Sequence, residues 1–356
     1  MNARLVLPVA ISTAFLSITA QAQSSTHQLR GSDVAVYNLA GVIRVEAGSG
    51  DEVQIEVTRR GPDASRLRVE SGPIGNRETL RVIYPADRLV YRDPGNRSWR
   101  FRTRVRVRED GTFEGGWGDG RRDDQIEISS DGSGMEAAAD LRIRVPRGKS
   151  LDLNLAVGDV SVTNVEGDLS IDVHAAAVTT SGTRGRLDLD TGSGEVRVTD
   201  AQGDVTLDTG SGNVTLEGIR GTLLELDSGS GRISARNVEV TDLRLDTGSG
   251  RVSLHGVKTR DLSLDSGSGS VEIDLAADVE RMDVDAGSGS ITVGVPPSFG
   301  AEVVIETGSG GIDVDVPISL TRTGRRSLHG KIGDGRGRVG IETGSGGVTI
   351  RASAAR

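Results

Sequence analysis

From Leu187 to the end of the chain, apolar residues fall in pairs two apart, each pair at a fixed distance from a Gly-Ser-Gly triplet. The triplets begin at Gly192, Gly210, Gly229, Gly248, Gly267, Gly287, Gly308 and Gly344. Five and three residues before them stand pairs such as Leu187/Leu189, Val205/Leu207, Leu224/Leu226 and Leu243/Leu245, continuing to Met282/Val284, Val303/Ile305 and Val339/Ile341. Four and six residues after them stand Val196/Val198, Val214/Leu216, Ile233/Ala235 and so on to Val348/Ile350. The residues between are polar. Alternation of this kind predicts two short strands per unit, each with one buried face. A further small or apolar residue recurs near a second turn, at Ala201, Ile219, Val238 and Val257.

The triplets step by 18, 19, 19, 19, 20, 21 and then 36 residues, as though one unit had lost its triplet. One such unit has too little apolar surface to fold alone, so units must stack. In an antiparallel meander the triplet is a hairpin and Leu189 faces Val196. In a β-solenoid it is a corner and each strand pairs with its copy in the next coil. A corner must tolerate its own copy above and below, which glycine and serine do, so the repeat predicts an all-β solenoid of about 18–21-residue coils.

Composition agrees with many short strands and glycine turns: there are 50 glycines, 9 prolines and 3% aromatics. With no cysteine the fold cannot rest on disulfides, and no lipid can be attached through one. Residues 1–22 read as a signal peptide, with Arg4, an apolar run from Leu5 to Ile18, and Ala20-Gln21-Ala22 as the cleavage signal. The run is shorter than the roughly 20 residues of a spanning helix. The expected product is exported, periplasmic or at the cell surface, with no transmembrane segment after cleavage.

The segments Asn38-Leu39-Ala40-Gly41-Val42-Ile43-Arg44-Val45 and Arg144-Val145-Pro146-Arg147-Gly148, with the recurring Thr-Gly-Ser-Gly-x-Val, carry a resemblance. So does the close, Gly330-Lys331-Ile332-Gly333-Asp334-Gly335 followed by Ile341-Glu342-Thr343-Gly344-Ser345-Gly346. Nearly the whole chain past residue 22 resembles the bacterial family of β-strand-repeat domains of unknown function named "putative adhesin". The resemblance implies a right-handed β-solenoid-like fold and export. It brings no catalytic residues.

Asp190-Thr191-Gly192-Ser193 spells an aspartic-protease signature, but that chemistry needs two carboxylates facing across one cleft. Here the aspartate recurs at Asp208, Asp227, Asp246, Asp265 and Asp285, with Glu306 and Glu342 in the last units, which describes a ladder. Adjacent carboxylates repel by roughly 1 kcal/mol at about 4 Å in water. Capping of the turn amides by the aspartates is the expected resolution, ahead of bridging by calcium. His27, His174, His255 and His329 show no ligand spacing and read as surface residues. No catalytic, cofactor-binding or metal-binding residue is expected.

Residues 23–150 read as irregular first coils or a cap, ahead of the regular repeats of 151–356. Within them lies an Arg/aromatic-rich insertion, 88–122, with 10 arginines and 5 acids in a chain of net charge −9. Trp99, Phe101, Thr103, Val105 and Val107 alternate with Arg100, Arg102, Arg104, Arg106 and Arg108, and Trp117 follows in a glycine-rich run. As one strand this presents five guanidinium groups on a face. Either acids such as Asp123, Asp124 and Glu127 neutralise them, or the face docks an anionic envelope polymer or an acidic protein. Nucleic acid is not expected, given export and the acidic whole. Taken together, the sequence reads as an exported non-enzymatic protein, an adhesin or a cell-envelope scaffold. The alternative is a β-helix carbohydrate-active enzyme acting on a polysaccharide, and that requires a unique acidic cluster which the regular repeats lack.

Overall fold

The computed structural model describes residues 23–92, 101–113 and 125–353. Strands pair with their own copies one coil on, in parallel: Leu187 with Val205, Val205 with Leu224, Leu224 with Leu243. Leu189 therefore lies beside Leu207 and not opposite Val196, which selects the solenoid over the meander. The strand before each triplet builds one wall (wall A) and the strand after it a second (wall B). A short third side contributes Ala201, Ile219, Val238 and Val257, all buried. In strands such as Val214–Ser230 and Ile233–Ser249 the extended backbone runs through the second turn from one wall to the next.

Each coil therefore offers the interior about five apolar side chains. Stacking at about 4.8 Å makes them continuous ladders that exclude water on all sides. Leu224, Leu226, Ile233, Ala235 and Val238, inward positions of the middle coils, are each at most 2% exposed. One apolar cluster runs from Leu29 to Ile350.

Two kinds of turn hold the stack in register. At the corner between walls A and B, Gly250 has φ +135°, and a Cβ placed on it would lie 1.8 Å from the carbonyl oxygen of Gly231. The preceding coil occupies the space a side chain would need, so glycine stands at this corner in the triplet-bearing coils with positive φ, while Ala176 takes the position in the coil Gly167–Ser181 without it. At the second turn the left-handed position alternates Asn164, Gly182, Asp200, Gly218, Asn237 and Gly256, with φ between 53° and 69°. A Cβ on Gly182 would sit 2.3 Å from Asn164 Oδ1, and one on Gly218 would sit 2.7 Å from Asp200 Oδ1. Each short polar side chain thus lies over the bare glycine of the next coil. Asn and Asp are the non-glycine residues that tolerate this conformation best.

The two ends break the parallel pattern. Asp33–Ala47 forms the first full coil and pairs in parallel with Lys149–Thr163. On wall B it is followed outward by Ala138–Val145, then by antiparallel Glu52–Arg60 and Gln23–Arg30. On wall A it is followed by Arg77–Ile83 and antiparallel Arg68–Ile74. That outermost strand carries Gly72, Pro73, Arg68 and Glu70, residues that discourage further pairing.

At the far end, Arg281–Ser288 pairs with Gly337–Ser345, which pairs in turn with Ala301–Thr307. The last coil in sequence is thus the penultimate one in space. Ala301–Thr307 is covered by the antiparallel hairpin Ser327–Ile332 and Ile318–Thr323. The step of 36 residues is therefore this hairpin, not a coil that lost its triplet. Ile312 and Val314, on the outermost coil of wall B, are only half-buried for the same reason.

Candidate functional site

The insertion folds into a three-stranded sheet, with Gln125–Ser129 between Arg88–Val90 and Arg102–Arg106. Its inner face places Leu89, Val105 and Ile128 in the core, each at most 1% exposed. Side-chain alternation then turns Arg88, Glu127 and Arg104, which are in cross-strand register, to the other face with Arg102. Arg104 donates to Glu127 Oε2 from Nη2 at 3.0 Å and from Nε at 3.2 Å, and Arg102 Nε lies 3.8 Å from Oε1. The hydrogen bond from Arg104, with the charges of Arg102, Arg104 and Arg88, holds the Glu127 carboxyl below the usual range. Among the described residues, one carboxylate therefore faces three guanidinium groups. Arg102 and Arg104 remain 66% and 63% exposed, so the face keeps a positive balance.

This row is shorter than the alternation suggests. The strand ends at Arg106, which is half-buried, and the chain then turns. Arg108 sits in that turn, where its N–H donates to the Thr112 carbonyl at 2.8 Å. The described strand thus carries Arg102, Arg104 and Arg106, and Arg108 lies in the turn beyond it. Arg100, Trp99 and Trp117 lie outside the described residues, as do Asp123 and Asp124. The aromatic residues that are described anchor the insertion. Tyr91 and Phe113 are buried, with Phe113 edge-on to Tyr37 at 5.7 Å and the Arg60 guanidinium over the Tyr91 ring at 5.8 Å. Tyr84 donates its hydroxyl to Asn38 Oδ1 at 2.7 Å, and burial pushes its ionisation up.

Wall A carries the opposite charge. Asp172, Asp190, Asp208, Asp227, Asp246, Asp265 and Asp285 are in register on successive coils, and Glu342 and then Glu306 complete the row. Their neighbours toward the corner, such as Thr191, Thr209, Ser228 and Thr247, point inward and are buried, which is why Asp-Thr-Gly-Ser repeats. The carboxylates stand side by side on one flat wall and do not face each other across a cleft. Partial burial, with Asp172 and Asp208 on either side, pushes the Asp190 carboxyl up to about 6. Asp246 is raised in the same way by burial and by Asp227 and Asp265.

Among the described residues, the aspartates from Asp190 to Asp285 make no hydrogen bond to the turns. The caps come from other positions: Asp168 Oδ1 accepts the Arg186 amide at 3.0 Å, and Asp204 Oδ1 accepts those of Thr222 and Leu223 at 3.1 Å. The ladder aspartates alternate with buried neighbours and so stand on the outer face of the strand. Near the far end, Gly340 leaves a hollow of about 280 Å³ rimmed by Asp265, Asp283, Asp285, Glu306 and Glu342. Among the described residues, no three His, Asp or Glu side chains converge in a way that could hold a metal ion.

The histidines are half-buried, each keeping part of its surface in solvent. His255 Nδ1 lies 2.8 Å from Asp274 Oδ2, and Arg351 donates to Asp274 Oδ1 at 2.9 Å and to Glu272 at 3.1 Å. Gly294 stands on the intervening coil, so Arg351 reaches across it and ties the last strand to the stack. The wide spacing of these residues in sequence hides this cluster. The register of the coils is what brings it together.

Residues 120–351 match the Toastrack DUF4097 family, and the chain belongs to it. Three solved structures align over most of the chain. A "putative cell adhesion protein" of Clostridium sporogenes is 10% identical, covering 94% of this chain and 100% of its own, with TM-score 0.23. A "putative adhesin" of Bacteroides fragilis is 11% identical, covering 93% and 98%, with TM-score 0.33. A "putative lipid binding protein" of Parabacteroides distasonis is 10% identical, covering 95% and 96%, with TM-score 0.30. No curated protein matches the chain. Among the described residues no helix is long and apolar enough to cross a membrane.

Proposed function

We propose that this protein is an exported, non-enzymatic β-solenoid of the cell envelope that works by adhesion or scaffolding, and that its arginine sheet docks an anionic partner. The observation that carries this reading is the charge imbalance at Glu127. Among the described residues, Arg88, Arg102 and Arg104 are set against a single carboxylate on an exposed sheet, in a chain of net charge −9. A solvated sheet face of an acidic protein gains nothing from that excess unless an anion comes to it. The regular walls support a binding role over catalysis, since most of their side chains repeat from coil to coil.

Retention on an immobilised polyanion such as heparin tests the reading. The wild-type protein should bind at low ionic strength and elute as salt rises, because exposed charges are screened over about 8–10 Å near physiological salt. Arg102→Gln with Arg104→Gln should remove most of the retention. Equal retention of variant and wild type would overturn the assignment of the face.

A further inference from the structure

We propose that the arginine sheet of one copy docks on the carboxylate wall of a second copy of this chain. The inference rests on the docking reading above and names its partner. Both surfaces are β-sheets, so they share one lattice: about 4.8 Å between strands and about 6.7 Å between alternate residues of a strand. Arg102 and Arg104 are alternate residues on one strand, while Arg88 and Arg104 lie two strands apart. On wall A, Glu225 and Asp227 have the first spacing, and Asp227 and Asp265 the second. Guanidinium groups set on one lattice therefore meet carboxylates set on the other without either sheet deforming.

The wall has an unmet need for cations. Asp208, Asp227, Asp246, Asp265 and Asp285 are exposed, and none of them is in an ion pair or hydrogen bond among the described residues. Each stands one coil from a like charge, so an incoming guanidinium both gains its own contact and relieves repulsion between two rungs. The forked donors of arginine suit such a bridge better than a point charge does. The contact joins two different patches, which makes it heterologous, and each copy keeps a free patch for the next.

Sedimentation velocity on the purified chain tests this. At an ionic strength of about 0.01 M, where screening extends to about 30 Å, the weight-average mass should rise with protein concentration. At about 1 M it should return to the monomer. Arg102→Glu with Arg104→Glu, and separately Asp227→Lys with Asp246→Lys, should each weaken self-association about tenfold or more. Mixing the two variants should restore association, since the first keeps its wall and the second its arginines. Should the lysine variant fail to fold by circular dichroism, Asp227→Asn with Asp246→Asn takes its place. A monomer at every concentration in low salt, or association indifferent to the wall variants, overturns the proposal. Continued retention on the polyanion in that case leaves the docking reading standing, and loss of both removes both.

Discussion

Asp190 and Asp208 occupy the same position on adjacent coils, in register, with both side chains on the outer face of wall A. Asp172 completes a run of three on the other side of Asp190. This arrangement sets the sign of a pH effect. The folded-state carboxyl of Asp190 titrates at about 6, above its ordinary value of 3.8, so folding disfavours its ionised form. The penalty is absent at low pH and grows as pH rises through that window. Asp190→Asn should therefore raise the melting temperature at pH 7–8, and the difference should close by about pH 4. A variant less stable than wild type at pH 8 would show that the carboxylate has a partner that favours its charge.

The ladder also predicts a response to salt. With like charges repeated on every coil and no capping bonds to offset them, moderate NaCl should raise the melting temperature by screening. Calcium chloride at matched ionic strength should do no more, because a flat row offers no converging oxygen set. A specific rise of many degrees with calcium, reversed by chelator, would contradict this.

Leu245 and Arg244 are neighbours in sequence on opposite faces of wall A, Leu245 being 5% exposed and Arg244 open to solvent. Leu245→Asp would bury an unpaired carboxylate inside the stack and should cost several kcal/mol in chemical denaturation. Arg244→Asp should stay within about 1 kcal/mol. Equal effects would mean that the inside and outside of the wall are misassigned.

Corner glycines should differ sharply from loop glycines. Gly250→Ala places a Cβ within 1.8 Å of the Gly231 carbonyl, so the coil must open, whereas the space around Gly75 is empty. Gly75→Ala should cost about 1–2 kcal/mol for its left-handed backbone alone. Gly250→Ala should cost clearly more, read as a fall in the denaturant midpoint.

Glu127→Gln removes the carboxylate set against Arg88, Arg102 and Arg104. Polyanion retention should extend to higher salt, and the melting temperature should fall slightly as the arginines repel. Unchanged retention would mean that these guanidinium groups do not form the docking face.

The sequence by itself determined the coil. The pairing of Leu187 with Leu189 around a polar residue, repeated at a near-constant step, left the inside and outside of each wall no alternative, because a one-residue slip would bury charge. It also placed the ladder from Asp190 to Asp285, since a fixed unit length puts equivalent residues on one line. The alternation of Asn164, Gly182, Asp200 and Gly218 at the second turn was present in the same steps, though its meaning appears only when the coils are stacked.

Tertiary structure decided what depends on contacts between coils and on where the repeat fails. Parallel pairing over meander is one such matter, because alternation is the same in both and only the partner of Leu189 differs. The spatial exchange of the last two coils is another: Ala301–Thr307 and Gly337–Ser345 have interchangeable patterns, and the intervening hairpin chooses their order. The joining of His255, Asp274 and Arg351 depends on the gap at Gly294. The arginine row was cut short for a related reason. Period two continues in sequence through Arg108, but Val107 bridges Phe113 and Arg108 bonds Thr112, so the chain has already entered a turn there.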